Sequence, residues 1–136
     1  MDKTINTVVD DIYKLMKTKN IDKSVDPEAE IDRFGEAVKD LMRKEFTNRG
    51  PFDGRKLRLS NIGKDDRYLW NHYNNAGPKE PMQPHTLVKF MYGHLIEEML
   101  LFLTRLSGHK VTDEQKVCEV EGIVGHMDCR IDGVVT

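Results

Sequence analysis

Residues 115–136 read "QKVCEVEGIVGHMDCRIDGVVT", and their period decides the fold class. "QKVCEVE" and "IVGHMDCRI" alternate apolar and polar side chains, as half-buried strands do, and Gly122 marks a turn between them. In the second strand Ile123, Gly125, Met127, Cys129 and Ile131 share one face, while Val124, His126, Asp128, Arg130 and Asp132 share the other. An Asp-Gly turn at Asp132–Gly133 then opens a further strand that has barely begun when the chain ends at Thr136.

Upstream the period is 3.6. Residues 84–106 form the longest expected helix, with a stripe of Val88, Met91, Tyr92, Leu95, Ile96, Met99, Phe102, Leu103 and Leu106 expected to pack on a core. Ser107–Gly108 is a good stop signal. Residues 4–18 place Ile5, Val8, Val9, Ile12, Leu15 and Met16 at helical spacing behind a Thr4 cap. A second helix is expected to start at Ser24 or Asp26 with Pro27 in its first position, and to end before "NRGPFDG" at 48–54. Ser60 or Asn61 is expected to cap a short helix reaching about Tyr73. "AGPKEPMQP" at 76–84 separates it from the longest helix. The expected class is α/β in the broad sense (α+β): one domain over 1–136, helical through 1–50, with a started sheet at the end.

Bulk composition narrows the functions. Of 136 residues 32% are charged and 38% hydrophobic, with a net charge of −2, so the chain is neither disordered nor broadly basic. Nucleic-acid binding therefore requires a local basic patch. No apolar run approaches the roughly 18 residues that span a bilayer, so no membrane partner is expected. The N-terminus is amphipathic and acidic rather than a leader, which points to the cytoplasm, or to a host cytoplasm if the gene belongs to a phage. Cys118 and Cys129 have no metal-type spacing and give no disulfide framework.

Two acidic positions carry the chemistry. Glu97 lies one turn after Gly93 on the long helix, and Asp128 lies mid-strand, where an unpaired carboxylate is out of place unless it binds something. A helix glutamate facing a strand aspartate can hold a hard divalent cation through oxygen ligands. Such a cation acidifies a bound water and offsets phosphate charge.

"LRLSNIGKDDRYLWNHY" (57–73), "YGHLIEEML" (92–100) and "GIVGHMDCRIDG" (122–133) together resemble the successive motifs of PD-(D/E)xK nucleases. The similarity is to the RecB-like and phage-recombination exonuclease branch, relatives of lambda exonuclease. It covers about residues 57–136. The resemblance implies a restriction-endonuclease-like core and a metal-dependent DNA nuclease, an exonuclease of recombination or DNA processing. Glu97 and Asp128 become catalytic metal ligands for Mg²⁺ or Mn²⁺, and Glu98 is the alternative ligand if the register slips by one. Ser60 and Arg67 match the family's first motif and, with Lys64 and Arg58, are DNA-binding candidates; Arg55 and Lys56 extend that basic stretch. His126, on the face of Asp128, and His94 are accessory candidates.

The chain departs from the family in two ways. Some relatives hold an iron–sulfur cluster beside the first-motif arginine. Here that neighbourhood is Lys64–Asp65–Asp66, so no cluster is expected. The family also needs a carboxylate-x-Lys on the strand after Asp128, yet no lysine follows Lys116. Glu114–Lys116 has the spacing but precedes Asp128 and is read as coincidence. The expectation is an N-terminal part of a nuclease, cut before its last catalytic strand and inactive alone. Its open sheet edge would take a complementary C-terminal fragment or a second copy.

Blander readings stand beside these. Asp128 could be a solvated residue paired with Arg130 or His126, and Glu97 the wet flank of a helix. Trp70 and Tyr73 read as core rather than as base-stacking platforms. A non-catalytic α/β module binding DNA or protein is the alternative function.

Overall fold

The computed structural model describes residues 3–47, 58–75 and 81–136. Helices come first. Thr4 and Thr7 cap each other through a backbone N–H to Thr7 Oγ1 at 3.3 Å and the Thr7 N–H to the Thr4 carbonyl at 2.9 Å. That turn leads into α1 (Val8–Thr18), whose Leu15 is buried. Of the two expected caps for α2 (Pro27–Phe46), Asp26 is the one used. Its carboxylate accepts from the N–H groups of Glu28 at 3.1 Å and Ala29 at 3.4 Å. Such a cap contributes about 1 kcal/mol. The stretch 48–54 lies outside the described residues, as do Arg55, Lys56 and most of the 76–84 loop.

The third helix, α3 (Asp66–Asn74), starts later than expected. Ser60 and Asn61 occupy a separate 3-10 turn (Leu59–Asn61), and Asp65 takes the N-cap position. The chain reverses between them at Gly63, whose φ of +81° prevents one continuous helix. The longest helix, α4 (Pro84–Leu106), has the expected bounds. It packs against α2, with the Phe34 and Phe102 rings 5.2 Å apart, and meets α1 and the first strand. Only part of its apolar stripe is covered. Within it Leu106 is buried and Phe102 half-buried, but Val88, Tyr92, Ile96 and Met99 are exposed, while Leu101, which lies off the stripe, is buried. The stripe is wider than the face that α2 covers.

The strands form two small antiparallel sheets, so the class is α+β. In one, β1 (Val111–Thr112), β4 (Arg130–Ile131) and β5 (Val134–Val135) lie in the order β1-β4-β5; in the other, β2 (Lys116–Val120) pairs β3 (Ile123–Met127). Both hairpin turns are as expected. Glu121–Gly122 and Asp132–Gly133 have positive φ at both residues, which matches the right-handed twist of the strands they join. The expected continuous strand 123–131 is instead broken at Asp128–Cys129. Thr112 faces Arg130 and Lys116 faces Met127, so three residues (Asp113, Glu114, Gln115) stand opposite two (Asp128, Cys129). That is a β-bulge, with Asp113 and Gln115 in the left-handed region, and it splits one long hairpin into two sheets.

The C-terminus of α4 is tied to the N-terminal segment. The Lys3 ammonium donates to the Ser107 carbonyl and pairs with Asp22 at 3.2 Å, and the Asp22 N–H donates to Leu106 O at 3.4 Å. Gly108 sits at φ +87°, where a Cβ would collide with Lys3 and Asp22. Next to it the buried His109 ring sits between two carboxylates. Nδ1 lies 2.7 Å from Asp132 Oδ2 and Nε2 3.1 Å from Asp11 Oδ2. The helical N-terminal region and the last hairpin thus share one buried polar contact.

Candidate metal and DNA-binding site

One residue, Gln115 in the bulge, is hydrogen-bonded both to the Glu97 side chain and to the Asp128 backbone. Its side-chain amide donates to Glu97 Oε1 at 2.9 Å, and its backbone N–H donates to the Asp128 carbonyl at 2.9 Å. The bulge therefore sets Gln115 between the Asp128 backbone and the Glu97 carboxylate. Bulges beside functional sites commonly re-aim a side chain in this way.

The Asp128 carboxylate is exposed, and neither Arg130 nor His126 neutralises it. Arg130 is engaged elsewhere, its Nε 3.3 Å from Asp113 Oδ2. His126 is exposed and sits opposite Val117 in the β2–β3 pair. The Glu97 carboxylate is partly exposed, with His94 Nδ1 3.8 Å from Oε2. Glu97, His94 and Glu98 line a cleft of about 210 Å³ between α2 and α4, together with Lys44, Glu45 and Gln115. Burial raises the Glu98 carboxyl above its ordinary value, and the charges of Glu114 and Glu97 add to this against Arg105 and Lys44. Among the described residues no three His, Cys, Asp or Glu side chains converge as a metal cluster. The donors present are carboxylate oxygens, the set a hard cation takes. Mg²⁺ is commonly held by one or two carboxylates, with water and phosphate oxygens completing its shell.

Gly93 faces open space among the described residues, since a Cβ there would meet nothing within 4 Å. The close approach lies at Gly125, where an added Cβ would overlap the Leu59 side chain. Leu59 belongs to the 3-10 turn that also holds Ser60, and Arg58 forms a parallel bridge with Val124. The first-motif segment therefore packs on the strand that leads to Asp128. Arg58, Ser60, Lys64 and Arg67 are all exposed. Glu114 of the Glu114–Lys116 pair is bound by the buried Arg105, and Lys116 pairs with Asp113 at 3.1 Å.

Trp70 and Tyr73 are not core residues: they are 61% and 51% exposed, while Leu69 and His72 turn inward. Gln115 and Lys44 escaped the sequence reading. Nothing in a lone Gln before a strand, or in a Lys near the end of α2, marks either as a neighbour of Glu97. Comparison with family models, with curated proteins and with solved structures finds no match to this chain.

Proposed function

We propose that this chain carries the carboxylate half of a metal-dependent DNA nuclease site, of the PD-(D/E)xK type and the RecB-like exonuclease branch. The observation that carries the reading is Gln115, hydrogen-bonded to the Glu97 carboxylate on one side and to the Asp128 backbone on the other. An Asp128 carboxylate that forms no ion pair among the described residues, and a Glu97 carboxylate tethered by the residue that also holds the Asp128 backbone, are the ligands proposed to share Mg²⁺ or Mn²⁺. A bound divalent ion would supply charge neutralisation at the phosphate and a more acidic water. Gln115 would hold the Glu97 oxygens in place, and exposed Ser60, Lys64 and Arg67 would contact the DNA backbone. The lysine that offsets phosphate charge in such sites has no counterpart in residues 117–136. Cleavage is therefore proposed to need that group from outside residues 117–136. The alternative, a non-catalytic DNA- or protein-binding module, keeps the same surface without the ion.

Fluorescence anisotropy of an end-labelled linear duplex, with Mn²⁺ or EDTA, tests this. Affinity for the duplex is expected to rise with Mn²⁺ in the wild type and not in Asp128→Ala. Duplex binding that is equal in Mn²⁺ and EDTA favours the non-catalytic module.

A further inference from the structure

The α3 segment exposes rings and cations on two sides: Arg67, Trp70 and Tyr73 follow one another at i, i+3 spacing, and Lys64, Tyr68 and His72 lie on another side. Trp70, Tyr73 and Tyr68 are each about half exposed or more. The Tyr68 and His72 rings stack nearly parallel, 11° apart in plane with centroids 6.0 Å apart. The Lys64 ammonium sits 5.5 Å from the Tyr68 centroid, so a cation, a phenol and an imidazole form one column. Among the described residues neither Lys64 nor Arg67 forms an ion pair. The adjacent acids, Asp65 and Asp66, sit at the N-cap and first turn of α3, where the helix dipole accounts for them.

The chemistry of the patch selects among occupants. Large rings left in water are unfavourable at about 25 cal/mol per Å². Exposed rings flanked by cations that form no ion pair among the described residues match a ligand that offers flat π-faces and phosphates together. A duplex hides its base faces inside the stack. A second copy docked face to face by two-fold symmetry would bring Lys64 and Arg67 toward their own copies, like charge against like. We propose that α3 is a stacking platform for single-stranded nucleic acid, in which Trp70 and Tyr73 stack on bases while Lys64 and Arg67 meet the phosphates.

Lys64 and Arg67 are shared with the proposed DNA contacts, so in them this surface rests on that reading, but it needs no metal ion and is tested in EDTA, where failure of the Glu97–Asp128 site has no effect. Trp70 is the only tryptophan of the chain, so its emission reports directly on stacking. Titrating the full chain with oligo(dT) of about 20 nucleotides is expected to quench that emission to saturation. Anisotropy of the labelled oligonucleotide is expected to show affinity falling about 5- to 100-fold in Trp70→Leu and less in Trp70→Phe. Lys64→Gln with Arg67→Gln is expected to flatten the salt dependence. A parallel oligo(U) titration separates RNA from DNA, and binding of either supports the proposal. No response to either oligonucleotide, equal quenching by duplex, or unchanged affinity in a helical Trp70→Leu variant would overturn it. So would a Trp70 emission shift that follows protein concentration alone, which would assign the face to a second copy.

Discussion

Gln115 donates its side-chain amide to the Glu97 carboxylate at 2.9 Å, across the gap between the longest helix and the bulged strand. The same residue's N–H holds the Asp128 carbonyl. Removing the amide should therefore disturb the carboxylates without unfolding the protein, because Gln115 is exposed. Gln115→Ala is expected to weaken Mn²⁺ affinity about tenfold or more, the usual effect of losing a group that orients a ligand. Its unfolding free energy from urea denaturation should stay within about 1 kcal/mol of the wild type.

His109 gives the opposite pattern, stability without ligand chemistry. Both ring nitrogens face carboxylate oxygens, and the side chain is fully buried. Truncation would leave Asp11 and Asp132 facing each other without the ring that joins them. His109→Ala is expected to cost about 3–5 kcal/mol, as when one partner of a buried ionic contact is removed. Urea denaturation followed by circular dichroism reads this directly. A loss under about 1 kcal/mol would mean that α1 is not anchored through this contact.

Gly125 and Leu59 should be coupled. A methyl at 125 runs into Leu59, so Gly125→Ala is expected to lose about 1–3 kcal/mol. Shortening the neighbour in Gly125→Ala/Leu59→Ala should restore part of that loss. The double-mutant cycle measures the contact between the first-motif turn and the strand leading to Asp128.

Two carboxyls set the pH dependence, with opposite signs. The Asp22 carboxyl is lowered from 3.8 to about 2 by hydrogen bonds from the Ser24 hydroxyl and N–H, then by Lys3. A lowered folded-state pKa stabilises above the unfolded value, and the contribution is lost as pH falls from 3.8 toward 2. Asp22→Asn should flatten the acid limb of the stability curve in that window. The Glu98 carboxyl is raised above 4.5, first by burial and then by Glu114 and Glu97. A raised acid disfavours the fold once ionised, so Glu98→Gln should stabilise near neutral pH. That gain should vanish below about 4.5, where the carboxyl is protonated in both states. Urea midpoints across the acid range separate the two.

How legible this was in the sequence depended on the range of the interaction. The bounds of α4, the Asp26–Pro27 start and the Asp132–Gly133 turn are encoded within a few residues, and all are present in the structure. The bulge was hidden, because Gly125, Met127 and Cys129 keep the inward period through the break at Asp128. Only the pairing of Thr112 with Arg130 and Lys116 with Met127 exposes the extra residue. His109 was equally silent, since its partners lie 98 and 23 residues away. Periodicity placed Trp70 and Tyr73 on a helix but could not say whether anything would cover them. At the candidate site Glu97 and Asp128 were legible as unusual acids. The Gln115 that links them was not.

The most direct test is a calorimetric titration of Mn²⁺ into the wild type, Glu97→Ala and Asp128→Ala. Wild-type protein should give one saturable isotherm, and each substitution should abolish it, because both carboxylates are needed to hold one ion. No heat in the wild type, or a wild-type isotherm in both variants, would contradict a cation shared by Glu97 and Asp128.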